Sequence, residues 1–100
     1  MFTENDLREL LEFKTDHQVL SVYLNTDPTL GSADAYRPRL RGMLKDVELE
    51  KDVQNIEHYI DFEFDWSGKG VALFSCSEED FFRAYTFSVP LRDRVRFIER

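Results

Sequence analysis

One hundred residues set the scale of a single domain, with enough chain for a real core and little to spare. Apolar residues make up 42% and aromatics 14%, and the net charge of −7 makes the surface acidic, a poor match for general nucleic-acid binding. One cysteine, Cys76, excludes an internal disulfide and fits a reducing compartment. No stretch approaches the roughly 18 consecutive apolar residues of a membrane span. The N-terminus has no basic-then-apolar targeting pattern either, so the expected location is cytoplasmic.

In chain order, Thr3 is a candidate helix cap with Asp6 at the N3 position, and Phe2 is placed to staple against Leu7. Leu7, Leu10, Leu11 and Phe13 predict one apolar face on a short helix over 4–14. Val19–Leu24 has the length and β-branched content of a buried strand, which Asp27-Pro28 and Gly31-Ser32 end with turn chemistry. Asp34 can cap the next helix, predicted over 35–47, with Pro38 in its first turn, where a missing N–H is harmless. Tyr36, Leu40, Met43, Leu44 and Val47 sit at helical spacing. The phase then slips, because Leu49, Val53, Ile56 and Ile60 form a second series, and a second helix is predicted over 50–62. Asp65 to Gly70 reads as a turn. Gly70–Ser75 and Phe81–Val89 read as hairpin strands around a polar turn at Ser77–Asp80, and Pro90 ends the pairing. Val95–Ile98 is either one more strand or the start of a linker. The predicted class is therefore α+β, a small mixed β-sheet with helices packed on it in the order α-β-α-α-β-β.

Charge is unevenly spread along this order. Residues 37–45 hold four basic groups and no acid, residues 46–65 hold eight acids against one Lys, and residues 92–100 hold four Arg against two acids. Within the first group, Arg37, Arg41 and Lys45 are spaced i, i+4, i+8, so they share one helix face, whereas Arg39 points elsewhere. That stripe is the candidate RNA contact, with the acidic segment expected to face away from it. The plainer alternative is a solvated helix face.

Groups that carry chemistry are sparse. His17 and His58 are 41 positions apart and neither has a cysteine or carboxylate at ligand spacing, so no metal site is expected. Gly68-Lys69-Gly70 lacks the Lys-Ser/Thr and following helix of a phosphate loop and reads as a turn. Cys76 has no evident base beside it. Asp61, Glu63 and Asp65 alternate with Phe62 and Phe64 as a helix end or strand edge, and Trp66 reads as a cap over the core. No catalytic residue and no cofactor is expected.

Taken in order, VLSVYLNTDPT, AYRPRLRGMLKD, DVQNIEHYI, GVALFSC and FSVPLRDRVRF resemble the N-terminal domain of the bacterial–archaeal release-factor-like proteins. These are relatives of the archaeal and eukaryotic class-1 peptide chain release factors and of Pelota. The resemblance covers nearly the whole chain. It implies an N-terminal α/β domain of a longer protein, with a middle domain and a C-terminal domain after it and peptidyl-tRNA hydrolysis assigned to a Gly-Gly-Gln loop in the middle domain. That tripeptide is absent from this chain, so the implied role is non-catalytic. In the class-1 factors an Asn-Ile-Lys-Ser loop between the two helices reads stop codons. Here residues 33–62 hold no match, since Asn55-Ile56 is followed by Glu57-His58, and codon reading transfers to no residue. The implied partners are the ribosome or its RNA, tRNA, and the adjacent domains of the parent protein, with Arg37, Arg41 and Lys45 as contacts. The competing expectation is a protein-interaction or dimerisation module without an RNA role. Nothing in the sequence sets an oligomeric state.

Overall fold

A computed structural model of the chain describes residues 3–13, 17–30, 33–65 and 67–98, with the side chains of 33 and 34 excepted. Helix α1 spans Glu4–Glu12, strand β1 Val19–Asn25, helix α2 Ala33–Leu44 and helix α3 Glu50–His58. Helix α3 runs on as a π turn over Tyr59–Glu63, and strands β2 (Gly70–Cys76), β3 (Phe81–Phe87) and β4 (Arg94–Ile98) complete the order. The strands form one sheet ordered β3-β2-β1-β4.

The α+β class and the order of elements follow the expectation, with β4 added as a strand. Direction differs: every pairing is antiparallel, so the sheet is not mixed. A single crossover helix carries the chain back to start a parallel neighbour, but β1 and β2 are joined by two helices. Leaving at Asn25, the chain descends through α2 and returns through α3. It re-enters at Gly70, directly opposite Asn25.

Both faces of the central strands are buried. Leu20, Val22, Leu24, Val71 and Leu73 meet Tyr36, Leu40 and Leu44 of α2 and Ile56, Ile60 and Phe64 of the α3 segment. The π turn carries its bond from the Phe64 N–H to the Tyr59 carbonyl at 2.8 Å, one residue wider than an α-helical bond. On the opposite face Val19, Ala72, Phe74, Cys76, Phe81 and Tyr85 form a second cluster, which α1 covers with Leu10 and Phe13. The Phe13 ring stacks on Phe81 with centroids 3.8 Å apart.

Several boundaries move. Helix α1 carries the expected capping box, with both Thr3–Asp6 bonds made, whereas the Phe2 staple lies outside the described residues. Its apolar face is narrower than predicted, because Leu7 and Leu11 are 46% and 62% exposed. Helix α2 begins two residues early, so Asp34 lies inside it and Pro38 falls in its second turn, where the ring removes the bond to the residue-34 carbonyl. Val47 lies beyond its end and still packs against the core. Strand β3 stops at Phe87, leaving Val89 exposed. Trp66 lies outside the described residues.

From Phe87 the chain crosses the top of the sheet to reach β4 on the far edge. That crossover lies directly on Gly70, where an added Cβ would meet Leu91 Cγ at 2.6 Å and the Val89 carbonyl oxygen at 2.9 Å. Gly70→Ala is therefore expected to destabilise the domain by about 1–3 kcal/mol through overpacking. Leu73→Ala, which empties a fully buried site, is expected to cost roughly 2–5 kcal/mol. Urea melts of both variants check this; a parent-like midpoint for either refutes the corresponding packing assignment.

Candidate RNA-facing surface

Four of the basic residues are held by acids across element boundaries, and those contacts define what remains open. Arg37 and Arg41 of α2 lean toward the α3 segment, Arg37 half-buried and Arg41 still exposed. Arg37 Nε lies 3.5 Å from Asp61, and Arg41 lies 3.4 Å from Asp61 and 3.8 Å from Glu57. The acidic segment thus turns part of its charge toward the stripe instead of away from it. An antiparallel helix pair makes this the natural outcome, because charges along α2 meet their complements along α3 at the shared surface. Lys45, one turn further and just past the end of α2, is exposed and has no ion pair with any described residue.

Arg39 does point elsewhere, and to a definite target. Its guanidinium donates to Asp93 Oδ2 at 2.6 Å and to the Asn25 carbonyl at 2.7 Å, while the Asn25 N–H donates to Asp93 Oδ1 at 2.8 Å. This closed triangle ties α2, the end of β1 and the crossover together. At the opposite end of the sheet Asp52, 4% exposed, accepts from the Ser75 hydroxyl at 2.6 Å and from the Ser77 N–H at 2.8 Å. It sits in the first turn of α3, where partial positive charge favours a carboxylate. The carboxylate therefore joins the start of α3 to the end of β2.

The third cluster anchors α1. Glu9 Oε1 accepts from Arg83 Nε at 2.5 Å and from the Tyr85 hydroxyl at 3.0 Å, and the Arg83 guanidinium lies 4.8 Å from the Phe81 ring centroid. The Arg83 bond, with Tyr85 adding to it, holds the Glu9 carboxyl below its ordinary value. Burial, followed by the Glu9 contact, pushes the Tyr85 phenol upward. Burial alone raises Tyr36 to about 12.

The remaining candidates stay apart. His17 lies at the surface 3.8 Å from Glu79, and the His58 ring lies 5.0 Å from that of Phe62. Cys76 is buried with a free thiol. Gly68 occupies a positive φ of 75° in the turn before β2, as the turn reading requires. Among the described residues no group of three His, Cys, Asp or Glu is placed to hold a metal ion, and no helix is long and apolar enough to cross a membrane.

A shallow groove on the helical layer is lined by Arg37, Pro38, Arg41, Asp61 and Phe62. Phe62 is 77% exposed, the largest value among the large apolar side chains of the described residues. It belongs to the π turn that seats Ile60 and Phe64 in the core, so the turn that buries its neighbours leaves this ring outside. Nothing in the local sequence distinguishes Phe62 from Phe64; the widened turn does. No family model and no curated protein matches the chain.

Two outcomes test the anchoring clusters. Asp52→Ala leaves the Ser75 hydroxyl and Ser77 N–H without their acceptor, with an expected loss of about 1–3 kcal/mol, whereas Asp52→Asn keeps an acceptor and loses less. Equal urea midpoints for the two variants would refute the acceptor role. Because the folded Glu9 pKa lies below its ordinary 4.5, its contribution is complete above that pH and is lost as pH falls through the folded value. Glu9→Gln is therefore expected to destabilise the domain at pH 7 and to flatten its acid-side stability profile in thermal melts.

Proposed function

We propose that this chain is a non-catalytic, cytoplasmic module of a translation-release or ribosome-rescue type, contacting ribosomal RNA or tRNA. The observation that carries the reading is the groove in which Arg37 and Arg41 flank the exposed Phe62 ring. Cations beside an open aromatic ring are what unpaired nucleotides use, through phosphate attraction and base stacking. The α2–α3 ion pairs do not block this use. At 3.4–3.8 Å with the Arg41 side chain 57% exposed, they are surface pairs of small net energy, and a phosphate can replace Asp61 or Glu57 as the partner. Lys45 extends the same stripe. The likeness to the release-factor-like family, carried by VLSVYLNTDP and the segments after it, supplies the biological setting. Catalysis of peptide release is assigned to a Gly-Gly-Gln loop that these 100 residues do not contain.

A second reading, a protein-interaction module, is favoured by Leu7 and Leu11, which stand exposed one turn apart on α1. The two separate cleanly. Ribosome or ribosomal-RNA binding measured across a salt series is expected to fall with a log–log slope near −2 to −3, matching about three phosphate contacts. Arg37→Ala/Arg41→Ala/Lys45→Ala is expected to flatten that slope, Phe62→Ala to weaken binding without changing it, and Glu57→Gln/Asp61→Asn to tighten binding. Absence of binding, or an unchanged slope in the triple variant, removes the RNA reading in favour of the protein one.

A further inference from the structure

Strand β4 is bonded on one side only. Among the described residues no strand lies beyond it, and Arg94, Arg96 and Phe97 along it are exposed. Which of its backbone groups are open follows from the bonds of β1. In a central antiparallel strand the N–H and C=O of one residue point to the same side and alternate with the next residue. The Asn25 N–H reaches Asp93 on the β4 side, and the Thr26 N–H reaches Lys69 on the β2 side. Val19, Ser21 and Tyr23 therefore bond toward β4, and their partners Ile98, Arg96 and Arg94 bond back. Val95 and Phe97 are left with both N–H and both C=O groups pointing out of the edge.

The two faces flanking that edge differ chemically. On one, Arg94 and Arg96 are exposed and have no ion pair with any described residue, in contrast to the paired Arg37, Arg39, Arg41 and Arg83. On the other, Val95 packs partly against the main core, and Phe97 beside it is 47% exposed. The strand alternates cation and apolar side chain along an open ladder.

We propose that the β4 edge is a binding site for an extended peptide strand of alternating acidic and apolar residues. Such a strand adds antiparallel to β4 through the Val95 and Phe97 backbone, sets its carboxylates opposite Arg94 and Arg96, and lays its apolar side chains beside Phe97. Charge complementarity selects this occupant. A second copy of this chain at the same edge would bring arginine against arginine, so the charges that deter self-pairing through the edge favour an acidic strand. An RNA strand would satisfy the arginines, but Phe97 lies on the opposite face of the sheet from them, and the open Val95 and Phe97 backbone groups would stay unpaired. This inference is independent of the RNA reading, which rests on residues of α2 and the π turn.

The test uses the full chain and two labelled heptapeptides, one alternating Glu and Val and the other Lys and Val, read by fluorescence anisotropy at low salt. The Glu-Val peptide is expected to bind at least tenfold more tightly. Its titration is expected to shift the backbone amide signals of Val95 and Phe97 and slow their hydrogen exchange. Arg94→Glu/Arg96→Glu, two exposed changes that leave the core intact, is expected to invert the preference toward the Lys-Val peptide while leaving the urea midpoint of the domain at the parent's value. Equal binding of the two peptides, an unaltered preference in the double variant, or silent Val95 and Phe97 amides overturns the proposal. So does an oligonucleotide that displaces the Glu-Val peptide without engaging those amides, or dimerisation through this edge in sedimentation.

Discussion

The pairing of β1 with β2 is the constraint from which the rest of the architecture follows. Both strands are covered on both faces, so they hold almost no polar side chains, and the buried Ser21 and Ser75 are hydrogen bonded. A sheet of this kind needs cover above and below. Because β1 and β2 are antiparallel neighbours, the connecting chain must leave and return at one end, and a helix pair satisfies that requirement while also supplying the larger cover. Among the described residues the other face is covered by α1 and by Leu91 of the crossover, a smaller cover than the helix pair. Edge positions are then left for β3, reached by a tight turn through Asp80 at φ 51°, and for β4, reached by the crossover. Asp in the left-handed region is one of the few non-glycine residues that tolerates it readily.

Polar contacts lock each junction that the apolar cores leave underdetermined. Arg39 and Asp93 fix where the crossover ends and β4 begins, Asp52 fixes the start of α3 against the end of β2, and Glu9 fixes α1 on β3. Each lies at the margin of a core, where hydrophobic contacts give little orientation. Burial supplies most of the free energy and these charged groups supply position. The acidic excess along the α3 segment has a similar use, because Asp61 pairs with Arg37 and Arg41 and Glu57 with Arg41, tying α2 to it.

Most of the secondary structure could be read from residue order because its signals are local. β1 and β2 are apolar runs bounded by Asp-Pro and glycine turns, the α1 cap is a four-residue motif, and the phase slip between Val47 and Leu49 marks the break between α2 and α3. What could not be read is non-local. Arg39 and Asp93 are 54 residues apart, and Asp52 meets Ser75 across 23. Sheet direction depends on whether one or two helices fill the connection and on how they lie, which periodicity does not encode. Leu7 and Leu11 carry the same pattern as Leu10, yet α1 sits at the sheet margin and only one side of it finds a partner. For the candidate surface, spacing identified the shared stripe of Arg37, Arg41 and Lys45. The acids opposing the two arginines became visible only when α3 was laid alongside.

The crossover from β3 to β4 also orders events in time. The pairing of Ser21 with Arg96 closes a loop of 75 residues, whereas β2 and β3 meet across a short turn. Loop-closure entropy makes such distant contacts unfavourable until the intervening chain is compact. By this argument the edge strand is expected to be the last piece of the sheet to dock. What β4 adds is the cover of one edge, since its pairing closes off the Val19–Tyr23 side of β1. The sheet thus has a built-in hierarchy of loop closures, a three-stranded unit whose pairings span shorter stretches of chain and a fourth strand whose pairings span the longest.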